Sequence, residues 1–214
     1  IAENIAGYRT MLANDDLIPG GSQKWTAERW VDAITTAHLT YYVLDQDNDC
    51  GYYFYKDNKA LADSMSKVIG YNFTVTQAEL LTVATPTAEN STDSAAGNVA
   101  TNTLNITVKN TGVAPCFFDV YLVAEFVDST GVSLAQIGES VRIPKGTFKD
   151  GASQEFSFSG DVPVGEVNLA TQPGVSVALS LYESEDAFKN GKNPTVRFDN
   201  DGLQENNKLL LKSR

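Results

Sequence analysis

The chain has 214 residues, 42% of them hydrophobic, and a formal net charge of −11. This length suits one large domain or two small ones, with a core that needs no disulfide or metal to be stable. The dispersed lysines and arginines on an acidic surface argue against nucleic-acid partners. The lack of an apolar run of about 18 residues argues against membrane insertion.

The first seventy residues are predicted to be mainly helical. Apolar residues recur at helical spacing in residues 1–12, and Thr26 can cap a second helix. A strand is expected at residues 38–44. A third helix, with Leu61 and Met65 on its apolar face, is expected to begin at Asp57 and to end at Gly70. The order helix, helix, strand, helix is what a chain would show if it entered a (β/α) barrel partway through.

From residue 71 the hydrophobic period changes to that of strands. Leu104, Ile106 and Val108 alternate with polar residues, a turn follows at 110–112, and a second alternating run ends at Phe126. Further strands are expected at 140–143, 153–159, 175–182, 195–198 and 208–211, with a helical turn within 184–190. The residues expected to face inward are Leu104, Ile106, Val108, Phe118, Val120, Leu122 and Phe126.

These patterns predict an α+β chain with two parts. Residues 1–70 form a helical segment like the end of a (β/α) barrel. Residues 71–214 form an Ig-like antiparallel β-sandwich, because short strands alternate with turn residues at regular intervals.

Four segments carry a resemblance to a known family. They are HLTYY at 38–42, VIGYNF at 68–73, NTGVAP at 110–115 and VRFDN at 196–200. In this order they resemble a bacterial C-terminal domain of unknown function, found behind a glycosidase-like TIM barrel. The resemblance implies a secreted or cell-surface protein that handles carbohydrate. It also implies an upstream barrel domain as partner, with the barrel end packed on the sandwich.

Catalysis by this chain alone is not expected. A glycosidase uses two carboxyl groups that flank the bond it cleaves, and in a barrel enzyme they stand at strand ends. Where such a group would be sought, after residues 19–21, the chain has Ser22 and Gln23, which cannot ionise. No cofactor is predicted.

A saccharide site, if the chain has one, is predicted near Trp25 and the loop at residues 19–22. The glycine pair at 20–21 allows close backbone approach, and Ser22 and Gln23 supply polar contacts. His38 is a further ligand-binding candidate. As a general base it would lack a recognisable nucleophile, and a structural role is the alternative. The aromatic residues between 25 and 55 indicate either a sugar platform or core packing.

Metal sites are not predicted. The acidic loop at 45–49 resembles a calcium loop, but its glycine is displaced and Lys56 holds the closing position, which excludes an EF-hand. A looser cation site and a solvated loop both stay open. Cys50 and Cys116 indicate either one disulfide or two separate thiols.

Three functions are compatible with these sequence features. The first is a non-catalytic accessory module that supports the barrel and contacts glycan. The second is a structural or adhesive Ig-like spacer. The third is part of an active glycosidase that upstream barrel strands complete, with His38 and Asp45 or Asp47 at strand ends.

Overall fold

The computed structural model describes residues 27–41, 50–85, 99–149, 151–163 and 172–211. Within these ranges the protein is α+β, with two antiparallel sheets and a few helices. The described residues fall into two compact units. A helical unit contains those up to Tyr71 together with Thr111–Pro115, and a β unit contains Asn72–Asn110 and those from Cys116 onward.

The helical unit is built from three short amphipathic helices. They are α1 (Ala27–Thr36), α2 (Cys50–Asp57) and α3 (Lys59–Val68). Trp30 and Ile34 of α1 lie four residues apart and therefore share one face, and the same is true of Leu61 and Met65 of α3. Both pairs pack with Phe54 of α2 in one buried cluster.

The strand predicted at residues 38–44 is wrong in its described part. Residues 38–41 form a turn, because His38 takes a left-handed φ of 48° directly after α1. The amide of His38 donates to the Thr35 carbonyl, and the amide of Leu39 donates to the Ile34 carbonyl, at 3.1 and 3.2 Å. This pair of bonds is a Schellman motif that closes the helix, with histidine where glycine is usual.

Residues Thr111–Pro115 of the NTGVAP segment belong to the helical unit. The amides of Val113 and Ala114 donate to the carbonyls of Val68 and Gly70, at 2.8 and 2.9 Å. Gly70 has a φ of 78°, as expected for the residue predicted to stop α3. A side chain at that position would place its Cβ 3.2 Å from the Thr40 carbonyl oxygen.

The β unit contains two antiparallel sheets. The three-stranded sheet has the order β1 (Phe73–Thr85), β2 (Val99–Asn110), β6 (Ser153–Pro163). The five-stranded sheet has the order β4 (Ser133–Gln136), β3 (Val120–Val127), β7 (Ser176–Tyr182), β8 (Leu209–Leu211), and β5 (Val141–Ile143) also pairs with β3. A short helix, α4 (Glu185–Lys189), follows β7.

The inward-facing residues predicted from the alternating pattern are buried, with one exception. Leu104, Ile106, Val108, Val120, Leu122 and Phe126 all lie in the core. Phe118 is 38% exposed. It lies at a bend two residues before β3 begins, so the alternation of a strand does not determine which way it faces.

Strand β3 is buried on both faces. Val123 and Val127, which alternate with the core residues, are also inaccessible to solvent. Ala187 and Phe188 of α4 pack with Val123 and with Tyr182 of β7, so the helix predicted within 184–190 covers this second face. The exposed strand β4 was not predicted from the sequence.

The segment Val196–Asn200, predicted as a strand at 195–198, instead makes single bridges to both sheets. Val196 bridges Leu181 of β7, and Phe198 bridges Phe73 of β1. The side chain of Asn200 then pairs with the backbone of Val75. Its Oδ1 accepts from the Val75 amide at 2.8 Å, and its Nδ2 donates to the Val75 carbonyl at 3.0 Å.

Asn200→Ala should destabilise the β unit by about 1–3 kcal/mol, because the partly buried amide and carbonyl of Val75 lose their partner together. Urea unfolding measures the change in unfolding free energy. The matched control is Asn193→Ala, at an exposed position. Equal stability of the two variants would show that the Asn200 pairing is dispensable.

Met65→Asp should destabilise the helical unit by about 3–5 kcal/mol, since it places an unpaired charge in the core formed with Trp30 and Phe54. Ser64→Asp introduces the same carboxylate at the neighbouring exposed position and serves as control. Circular dichroism during urea titration follows the helices. Unchanged helix stability in Met65→Asp would contradict the core assignment.

Candidate functional site

A groove of about 510 Å³ lies over the middle of the three-stranded sheet. Three consecutive residues from each of β1, β2 and β6 line it. Ile106 and Phe156, at the centre of their triplets, are buried, so their side chains point into the core. The side chains of the flanking residues must point to the opposite, solvent-facing side of the sheet. They are Gln77, Glu79, Asn105, Thr107, Glu155 and Ser157.

The strand register arranges these six side chains in two rows across the sheet. One row is Glu79, Asn105 and Ser157, and the other is Gln77, Thr107 and Glu155. Side chains directly opposite each other on neighbouring strands stand about 5 Å apart at Cβ. The groove therefore presents two carboxylates, two amides and two hydroxyls on one rigid surface.

A β-bulge sets which side chains of β1 reach the groove. Val75 pairs with Val108 and Gln77 pairs with Thr107, so Thr76 is the extra residue. If Thr76 paired regularly with Thr107 instead, Gln77 would lie opposite Ile106 and face the core. The Asn200 side chain binds the backbone of Val75 immediately before the bulge. The bulge and this pairing therefore hold Gln77 and Glu79 on the solvent side.

The polar groups of the groove are available to a ligand. Within the described ranges, no hydrogen bond or ion pair occupies the side chains of Gln77, Glu79, Asn105 or Glu155. Ideal strand spacing puts the Cα atoms of Glu79 and Glu155 about 12 Å apart. The two glutamates therefore stand diagonally across the groove, one on each outer strand of the sheet.

A second polar cluster lies buried on the outer face of the five-stranded sheet. The ammonium of Lys208 contacts a carboxylate oxygen of Glu125 at 3.0 Å, with their side chains 14% and 5% exposed. Burial, with the nearby Glu125 carboxylate as a smaller cause, raises the pKa of Tyr182 to about 12. Because Glu125 and Lys208 neutralise each other in the interior and leave little access, we interpret this cluster as structural.

His38 lies in the turn after α1, and its side chain links this turn to the segment that contains Val113. Its Nδ1 is 2.7 Å from the Val113 carbonyl oxygen, which can only accept a hydrogen bond, so Nδ1 is the donor. The other predicted binding residues, Trp25, Ser22 and Gln23, lie outside the described residues, as does the acidic loop at 45–49. The prediction of a saccharide site around Trp25 stays a prediction.

Of the aromatic residues between 25 and 55, some pack in the core and others are exposed, as a sugar platform would require. Trp30 and Phe54 are core residues whose rings lie 6.0 Å apart. Tyr41, Tyr52 and Tyr55 are exposed. Core packing therefore explains part of this aromatic content, and the exposed tyrosines remain on the surface of the helical unit.

No disulfide joins the two cysteines, because the Cys116 thiol is free. Burial raises the pKa of this thiol. The described residues bring together no group of three or more histidine, cysteine, aspartate or glutamate side chains that could hold a metal ion.

Sequence reasoning missed the groove residues. Each lies at a polar position in a run that alternates, and that signal was visible in β2 and β6. The rows, however, depend on which strands become neighbours and on the extra residue in β1. Neither can be read from the polar residues themselves.

The sequence matches no protein-family model and no curated protein. Among the helices that the structure describes, none has both the length and the apolar character needed to span a bilayer. The resemblance to the domain that follows a glycosidase-like barrel therefore stays a proposal.

Tyr182 should make stability depend on pH above 10. Folding raises the pKa of Tyr182 from 10.0 to about 12. Its contribution to the unfolding free energy is therefore complete below pH 10 and is lost as the pH rises through 12. Between pH 9 and pH 12 the unfolding free energy should therefore fall further in the wild type than in Tyr182→Phe. The control is Tyr121→Phe, which removes the hydroxyl of a partly exposed tyrosine in the adjacent strand. An equal fall in wild type and Tyr182→Phe would contradict the assignment.

Proposed function

We propose that the chain is a non-catalytic accessory module of a secreted or surface bacterial protein similar to glycoside hydrolases. In this proposal its two sheets form an Ig-like β-sandwich, and its helical unit is the end of a (β/α) barrel whose other strands lie upstream. The module supports that barrel and contacts glycan.

The groove on the three-stranded sheet is the observation that carries the proposal. A sugar hydroxyl both donates and accepts hydrogen bonds, as do the amides and hydroxyls that line the groove. These groups stand on paired strands rather than on loops, so little ordering is needed when a ligand binds. Ser22 and Gln23, which cannot ionise, occupy the positions where a glycosidase carboxyl group would be sought, and this favours the non-catalytic role.

The sandwich is supported by the burial pattern of the β unit. The central strands β2 and β3 each bury a row of alternating apolar residues, and Val196–Asn200 bridges both sheets. In the proposed sandwich the buried rows of β2 and β3 face each other, and each supplies the apolar partner surface that the other sheet needs.

The direct test is a titration of the whole chain with neutral oligosaccharides, followed by NMR. We expect small, saturable shifts, because a single open site binds sugars weakly. Gln77→Ala with Asn105→Ala should abolish them, since both amides are lost, whereas the exposed Gln172→Ala should not. Trp25→Ala tests the other predicted position. If it alone removes the shifts with the fold intact, the site lies there.

Two outcomes would overturn the function itself. Hydrolysis of a glycan panel by the purified chain would contradict the non-catalytic role. A chain that binds no glycan in the panel would favour the spacer, which needs no ligand.

A further inference from the structure

We infer that the groove selects oligosaccharides that carry protonated amino groups over those that carry carboxylates. This inference rests on the proposed function and adds the ligand class. It follows from the charges and hydrogen-bonding groups that the sheet places in the groove.

The residues that line the groove carry a net negative charge. Glu79 and Glu155 lie in different rows, on the two outer strands β1 and β6. A ligand bound across the sheet therefore has one carboxylate near each of its ends. Among the described residues that line the groove there is no lysine or arginine. The nearest base on this face of β2 is Lys109, two residues beyond Thr107 and outside the lining. The net charge of −11 adds a repulsive field for anions.

The hydrogen-bonding groups of the groove also favour an ammonium group over a carboxylate. Ionised carboxylates only accept hydrogen bonds, and an ammonium group only donates them, so the two are complementary. A uronic acid offers only acceptors at its carboxylate and would face Glu79 or Glu155 with like charge. The neutral hydroxyls of either sugar can still use Asn105, Gln77 and the two hydroxyls.

A basic peptide fits the groove less well than a sugar does. An extended peptide usually binds by adding a strand to a sheet edge, with apolar pockets for alternate side chains. The centre of the groove is β2, whose backbone already pairs with β1 on one side and β6 on the other. The side chains that face the groove are all polar.

The experiment compares three tetrasaccharides of similar size at about pH 6 and low ionic strength, where free glutamates are ionised. They are a glucosamine tetramer, its fully N-acetylated form, and a galacturonate tetramer. The whole chain should bind the glucosamine tetramer at least about threefold more tightly than the N-acetylated one, given the modest energies of exposed ion pairs. The galacturonate tetramer should bind most weakly.

The variant Glu79→Gln with Glu155→Gln isolates the groove charges. It should bring the ratio of the first two affinities to about one while N-acetylated binding persists. Glu183→Gln with Glu205→Gln removes the same charge at exposed positions outside the lining and should keep the preference.

The results separate the inference from the function on which it rests. A preference that survives Glu79→Gln with Glu155→Gln, galacturonate binding as tight as glucosamine binding, or displacement of the sugars by an equal concentration of tetralysine would each overturn the inference. Binding of the N-acetylated tetramer alone would leave the accessory function standing and overturn the ligand class. Binding of none of the three would overturn both.

Discussion

The pairing of the Asn200 side chain with the backbone of Val75 fixes the outer edge of the three-stranded sheet at the point where its register changes. An asparagine amide has the same donor and acceptor as a peptide group, so it extends β1 at its free edge without another strand. It does so immediately before the β-bulge at Thr76. The segment that carries Asn200 also bridges β7, so one stretch of chain fixes the edge of one sheet relative to the other.

The β-bulge determines which residues of β1 face the core and which face solvent. Before it, Phe73 is buried at an odd-numbered position; after it, the odd positions Leu81 and Val83 are exposed. One extra residue thus reverses which positions face the core, as the strict period of two in a strand requires. The exposure of two apolar side chains and the solvent-facing placement of Gln77 and Glu79 have this single cause.

Much of the fold could be predicted because it depends on local patterns. The alternation of Leu104, Ile106 and Val108, and the helical spacing of Leu61 and Met65, gave the correct elements and the correct buried faces. Errors occurred where the usual local signal was missing, as with a histidine in place of the C-terminal glycine of a helix, or where tertiary contacts decide. Residues 38–41 alternate like a strand, but a Schellman motif closes α1 there. The groove could not be predicted, because its rows require the sheet order β1-β2-β6 and the bulge.

Glutamate has opposite roles on the two sheets, and burial explains the difference. Glu125 lies in the interior, where an unpaired charge would be very costly, and Lys208 at 3.0 Å neutralises it. Such a carboxylate is already engaged and has little left to offer a ligand. Glu79 and Glu155 are exposed, and water solvates them at little cost to stability. A surface carboxylate without a partner retains its full capacity to accept hydrogen bonds. Within the described residues, the polar face of the three-stranded sheet thus offers hydrogen-bond acceptors that the fold does not need for its own stability.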